Sequence, residues 1–137
     1  MKHKMYCIFA KESVQKMNGI RGKLASMSGH AYLHSFWDAT IPNARHTTIA
    51  EPEVLTKKQE QASAYVHSNH AYKITLIVDT VDELKVLQEA YRNVCGTSLV
   101  TDAGFTVFDE PTTTCLGIGP IREDMIGEDL KALKTFT

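Results

Sequence analysis

One carboxylate and a group of threonines carry most of the chemistry that spacing brings together in this 137-residue chain. Asp102 follows the apolar-to-threonine run Leu99-Val100-Thr101. That places it at the C-terminal edge of a short buried strand, the edge at which open α/β sheets bind ligands. Ala103 and Gly104 behind it are small, so the backbone can turn sharply or approach a ligand closely. Thr106 follows, and Thr112, Thr113 and Thr114 open a returning strand that runs to Gly117 and Gly119. A carboxylate flanked by hydroxyls suits hydrolysis, where a water is positioned and its proton taken. The same residues also make a well-formed turn between two core strands, and spacing alone leaves both readings open.

Other candidates are weaker. Gly19 and Gly22 precede a helix whose N-terminus offers free N–H groups to an anion, but the Walker A pattern fails. Two residues separate the glycines instead of four, and Leu24 follows Lys23 where Ser or Thr is required. Contact between Lys23 and an anion stays open. His30 and His34 stand one helical turn apart, the spacing of a metal pair, yet a third ligand is missing from the pattern. Cys7, Cys95 and Cys115 are odd in number and widely spaced, and Cys7 and Cys115 sit in apolar strand runs. They are expected to be buried structural thiols in a reducing compartment, not nucleophiles or a disulfide framework.

The elements that must position these groups follow from periodicity. Met5–Ala10 is a buried strand, followed by a polar connection over Lys11–Gly22. From Lys23 to about Ala39 the pattern is helical, with Leu24, Ser28, Ala31 and Ser35 on one stripe. Ala25, Leu33, Phe36 and Trp37 widen that stripe, while Lys23, Met27, His30 and His34 share another face. Thr40–Glu53 is expected to be a loop. Val54 to about His67 suggests an exposed amphipathic helix with Val54, Ala62, Tyr65 and Val66 free to pack. Tyr72–Val78 is the clearest strand. Thr80 and Glu83 form a capping box for a helix reaching about Val94 and burying Leu84, Leu87, Ala90 and Tyr91. Leu99–Thr101 and Thr113–Ile118 complete the strands, joined by a tip near Asp109-Glu110-Pro111. A helical turn over Arg122–Ile126 and a short helix over Glu128–Leu133 end the chain. This order specifies an α/β fold with a mixed sheet covered on both faces, and residues 1–137 are expected to form one domain.

Composition sets the outer limits. A content of 43% hydrophobic and 23% charged residues is that of an ordinary globular core and surface. No apolar run approaches the roughly 20 residues that span a bilayer, and Met5–Ala10 is too short for a signal peptide. The net charge of −1 conceals an asymmetry. Lys2, Lys4, Lys11, Lys16, Arg21 and Lys23 face only Glu12 in the first 23 residues, whereas acids outnumber bases in the rest. The N-terminal segment can therefore meet a polyanion despite the acidic remainder.

Three stretches in register resemble a known family. Gly22-Lys23-Leu24-Ala25-Ser26-Met27-Ser28-Gly29-His30-Ala31, Thr101-Asp102-Ala103-Gly104-Phe105-Thr106 and Thr114-Cys115-Leu116-Gly117-Ile118-Gly119-Pro120 are similar to the motifs of type 2 peptidyl-tRNA hydrolases, the archaeal and eukaryotic type. The resemblance implies a three-layer α/β/α fold around a four-stranded mixed sheet, often dimeric, so a homodimer is one expectation. It implies cytoplasmic hydrolysis of the ester joining a peptide to the 3′ end of tRNA, with the peptidyl-tRNA acceptor end as partner and no metal or organic cofactor. By motif match the functional lysine falls on Lys23, the acid on Asp102, and the threonines on Thr106 and Thr114. Gly22, His30 and Gly104 match positions that shape the site.

Ester hydrolysis needs a positioned water, a proton acceptor and a group to stabilise the oxyanion. Asp102 suits the first two tasks, Lys23 the third or a grip on the terminal phosphate, and the threonines a hold on water or ribose. The chain departs from the family pattern at three positions. Met27 stands where the family has Gln, Phe105 where it has Arg, and Val107 where it has a second Gln. Met27 and Phe105 are thus expected to line the substrate site with apolar surface. The departures leave two other readings: an inactive RNA- or protein-binding module on the same fold, and hydrolysis of a different acyl ester or amide.

Overall fold

The computed structural model describes residues 1–44, 48–104 and 110–137. In chain order the elements are β1 (His3–Ala10), α1 (Lys11–Lys16), α2 (Arg21–Thr40), α3 (Pro52–Val66), β2 (Tyr72–Val78), α4 (Val81–Tyr91), β3 (Thr97–Asp102), β4 (Thr112–Arg122), α5 (Glu128–Lys131) and β5 (Lys134–Thr135). One open sheet runs β3-β4-β1-β2-β5. β1 and β2 are parallel, with Tyr6 opposite Ile74, and the other neighbours are antiparallel. β1 is buried without a break from Met5 to Ala10, as a strand paired on both edges and covered on both faces must be. Tyr6 and Ile8 pack with Leu116, Ile118 and the α4 residues Leu84, Leu87 and Tyr91. Cys7 and Phe9 point the other way, onto Met17, Met27, Ala31, Val100 and Cys115. Helices therefore cover both faces of an α/β sheet.

The sheet has five strands, not the four expected. Lys134 and Thr135 pair with Ile77 and Leu76 along the outer edge of β2. A two-residue strand is too short to show alternation, so sequence pattern does not reveal it. The expected polar connection Lys11–Gly22 opens with α1, whose Ser13 hydroxyl donates to the Thr113 carbonyl at 2.6 Å and which is followed by the buried Met17. Arg122 extends β4, leaving a single 3-10 turn over Glu123–Met125. At α4 the Thr80 hydroxyl accepts from the Glu83 N–H at 3.3 Å, a cap of about 1 kcal/mol. That helix ends at Tyr91, and Ala90 is exposed.

α2 lies on the bare backbone of β4. A side chain at Gly117 would collide with the Ala31 carbonyl and the Ser35 Cβ, and the Ser35 hydroxyl donates to the Gly119 carbonyl at 2.6 Å. The buried residues of α2 are Met27, Ala31, Ser35, Asp38 and Ala39, while Leu33 is exposed. Met27 thus belongs to the core as well as to the Lys23 face. α3 is less exposed than its composition suggests, because it buries Lys58, Gln61, Ala62 and Tyr65. Lys58 and Asp38, 0% and 3% exposed, form an ion pair at 2.9 Å. Asp38 also accepts from the Thr48 N–H and hydroxyl and from the Thr97 N–H. This network fixes the end of α2 to α3, to the loop between them and to the start of β3.

Candidate active site

Asp102 is the last residue of β3. Its Oδ2 accepts from Lys23 Nζ at 2.5 Å, across 79 positions of sequence. Its Oδ1 accepts from the Gly104 N–H at 2.9 Å, an Asx turn that fixes the carboxylate from behind. Gly104 has φ +87°, and a Cβ there would come within 2.8 Å of the Glu110 backbone. Glycine is required on both counts. The Lys23 and Asp102 side chains are 15% and 9% exposed. The Lys23 hydrogen bond holds the Asp102 carboxyl below its ordinary range, with the Gly104 N–H and the charges of Lys23 and His30 acting the same way against partial burial. Asp102 is consequently ionised at neutral pH.

The acid opens into a cavity of about 460 Å³ between α2 and β3. It is lined by Met27, His30, His34 and Trp37 on one side and Leu99 to Ala103 on the other. Residues at i, i+4 and i+7 share a helix face, and here that face continues Lys23 and Met27 into three rings. His30 and His34 have centroids 5.3 Å apart, and His34 stacks on Trp37 at 5.0 Å with planes 25° apart. The pair His30 and His34 is therefore part of a ring stack. Among the described residues no group of three or more His, Cys, Asp or Glu is arranged to hold a metal.

The structure brings Lys23, Asp102 and Gly104 together and puts Met27 and His30 in the same cleft. Gly22 lies in the first turn of α2, with open space around it. Thr114 is fully buried, and its hydroxyl donates to the Val100 carbonyl at 3.4 Å. It sits where the β3–β4 register shifts, behind the acid. Thr106 and Phe105, with Val107, lie outside the described residues. Thr101 does line the cleft, and its hydroxyl meets that of Thr113 at 3.2 Å. Trp37 is the cleft residue whose role the sequence hides. The ladder 23, 27, 30, 34 reaches it in one further step, but an aromatic residue on a widened apolar stripe looks like core. Among the described residues that line the cleft none comes from α3, which packs beside the site and not over it.

The buried thiols do not compete as nucleophiles. Cys115 donates to the Met27 carbonyl at 3.5 Å. The Cys115 hydrogen bond and burial raise the Cys7 thiol, and burial pushes Cys95 up to about 12. A cavity of about 470 Å³ near the C-terminus, lined by Lys11, Asp79 and residues 132–137 among others, shares no residue with the three motifs.

Fold and site together define a class: an α/β protein whose mixed sheet presents a lysine–aspartate pair at a strand's end, in a cleft suited to hydrolysis. The family model described as Peptidyl-tRNA hydrolase PTH2 matches residues 4–136, and the chain belongs to that family. It is 36% identical over 107 residues to the peptidyl-tRNA hydrolase of Methanopyrus kandleri, covering 77% of this chain and 78% of that protein. It is 31% identical over 117 residues to the enzyme of that name from Methanothermobacter thermautotrophicus, covering 82% and 88%. The Methanocaldococcus jannaschii protein of the same name is 26% identical over 114 residues, covering 83% and 86%.

Proposed function

We propose that the cleft between α2 and β3 hydrolyses the ester joining a peptide to the 3′ ribose of tRNA. Family membership carries the reaction, and the observation that carries the site is the 2.5 Å contact between Lys23 and Asp102. A water held by Asp102 attacks the acyl carbon and gives its proton to the carboxylate. The carbonyl oxygen becomes an oxyanion, which the Lys23 ammonium stabilises. As the ammonium turns from Asp102 to the oxyanion, the carboxylate loses the contact that keeps it a weak base, so it takes the proton when it is needed. The bond from acyl carbon to ribose oxygen then breaks. The ribose oxygen takes the proton from Asp102, the new carboxyl group gives its remaining proton to solvent, and tRNA and the peptide carboxylate leave. These roles are filled by the chain's own residues, without a metal.

Around this pair, Gly104 aims the carboxylate and Thr114 holds the strand behind it. Gly22 leaves the approach to Lys23 open, His30 flanks the acid, and Met27 gives the site an apolar wall. The exposed Lys16 and Arg21, beside Lys23 in sequence, meet the tRNA phosphates. A cytoplasmic location goes with this reading, because the substrate is a product of translation. No helix among the described residues is long and apolar enough to cross a membrane. The test is release of free tRNA from N-blocked aminoacyl-tRNA. Lys23→Ala and Asp102→Ala are each expected to lower kcat by about 10²–10³, the usual effect of losing one such group. Wild-type turnover in a folded Asp102→Ala protein would refute the assignment. Binding of tRNA by a wild-type protein that never releases it would leave a binding module instead.

A further inference from the structure

The α2 face of the cleft is more elaborate than the chemistry at Asp102 requires. Beyond Lys23 and Met27 it carries His30, His34 and Trp37, each ring in contact with the next, on the lining of the same cavity as the acid. From His30 to Trp37 is seven residues, or about 10 Å of helix. His30 is exposed and His34 and Trp37 are half-buried, so the rings form a ledge that starts beside the carboxylate and leads away from it.

We infer that this ledge, through the outer faces of His30 and Trp37 at its two ends with His34 bridging them, stacks the unpaired 3′-terminal bases of the tRNA, and so holds the nucleotides that lead to the ester. The inference rests on the reading of the cleft as the hydrolytic site. Aromatic rings hold single-stranded bases without regard to sequence, because every base has a π-face, at about 1–3 kcal/mol per base. The two ends of the ledge lie about 10 Å apart, a span that two or three nucleotides of unpaired strand cover. The opposite wall supplies Leu99 and Val100 as apolar surface and the Thr101 hydroxyl as a hydrogen-bonding group. A row of flat rings fits bases better than peptide side chains. The peptide also differs from one substrate to the next, whereas the unpaired 3′ end is common to all of them.

Trp37 is the chain's one tryptophan, so its emission reports on the ledge directly. The probe is a tetranucleotide RNA of sequence ACCA with a free 3′-hydroxyl. It is expected to quench Trp37 saturably, while a version lacking its last two bases does not. His34→Ala should weaken the tetranucleotide about 5- to 100-fold. Trp37→Leu should raise KM for N-acetyl-aminoacyl-tRNA by a similar factor with kcat within about twofold, and Trp37→Phe should restore most of it. Circular dichroism and thermal unfolding establish that each variant is folded. Absence of quenching, or an unchanged KM in Trp37→Leu beside an active wild type, overturns the ledge and leaves the hydrolase standing. A KM change that depends on acetylglycyl against acetylphenylalanyl substrate, with tetranucleotide binding unaffected by His34→Ala, also overturns it and makes the rings a peptide pocket. Saturable quenching by a wild type that releases no tRNA upholds the ledge and removes the hydrolysis.

Discussion

Replacing Lys58 by Met removes an ammonium from the interior while keeping most of its length. Lys58 Nζ donates to Asp38 Oδ2 and to the Thr48 hydroxyl, each at 2.9 Å, and both charged residues are almost wholly out of water. Among the described residues, the variant leaves the buried Asp38 carboxylate with only neutral donors, those of Thr48 and Thr97. Breaking a buried pair in this way costs about 3–5 kcal/mol, most of it the uncompensated charge. An unfolding entropy of about 2.1 cal/mol/K per residue makes 1 kcal/mol worth about 3.5 °C for a chain of this length. Lys58→Met should therefore lower Tm by about 10–17 °C, read by circular dichroism and by urea unfolding at 25 °C. Adding Asp38→Asn removes the stranded charge, so the double variant should recover part of the loss despite carrying one more substitution. A loss below about 1 kcal/mol for Lys58→Met, or a double variant less stable than it, would refute the reasoning.

Because Lys23 depresses the Asp102 carboxyl, the acid limb of kcat/KM belonging to this group should lie below the ordinary carboxylate value of about 3.9. The matching stability contribution is present above that value and lost as pH falls through the depressed one. Asp102→Asn should therefore flatten the acid side of a Tm–pH profile. Gly104→Ala should destabilise by at least about 1–2 kcal/mol, since alanine resists φ +87° and would press on Glu110. It should also lower kcat by moving the Asp102 carboxylate, which paired unfolding and turnover measurements would show. Cys7, Cys95 and Cys115 are buried, so a thiol reagent at pH 8 should label the native protein only at the rate of unfolding. Fast labelling of any one in the folded state would contradict their placement.

The extent to which sequence announces this site varies by residue. Tyr72–Val78 has the same bounds in pattern and in structure, because a strand of β-branched and apolar residues between turn formers has few alternatives. Asp102 at the end of β3 follows from the same logic. The pairing of Asp102 with Lys23 does not, since nothing local links positions 79 apart; the family motifs supply that connection. Asp38 and Lys58 are invisible for a different reason. Each looks like a solvated charge on its own helix, and only the packing of α3 beside α2 makes their burial possible. β5 escapes because pairing, not periodicity, defines a two-residue strand.

The contact of α2 with Gly117 bears on how this protein can acquire a different substrate. The helix rests on the peptide backbone of β4, so its distance from the sheet is set by the thickness of two main chains and not by side chains that can be exchanged. Drift in the core cannot widen or narrow the cleft by degrees. Selectivity changes instead through the side chains that line the cleft, at positions 27, 30, 34 and 37 of α2 and at 99–103 along the end of β3. Met27, where the resembled motif carries Gln, is one of those positions.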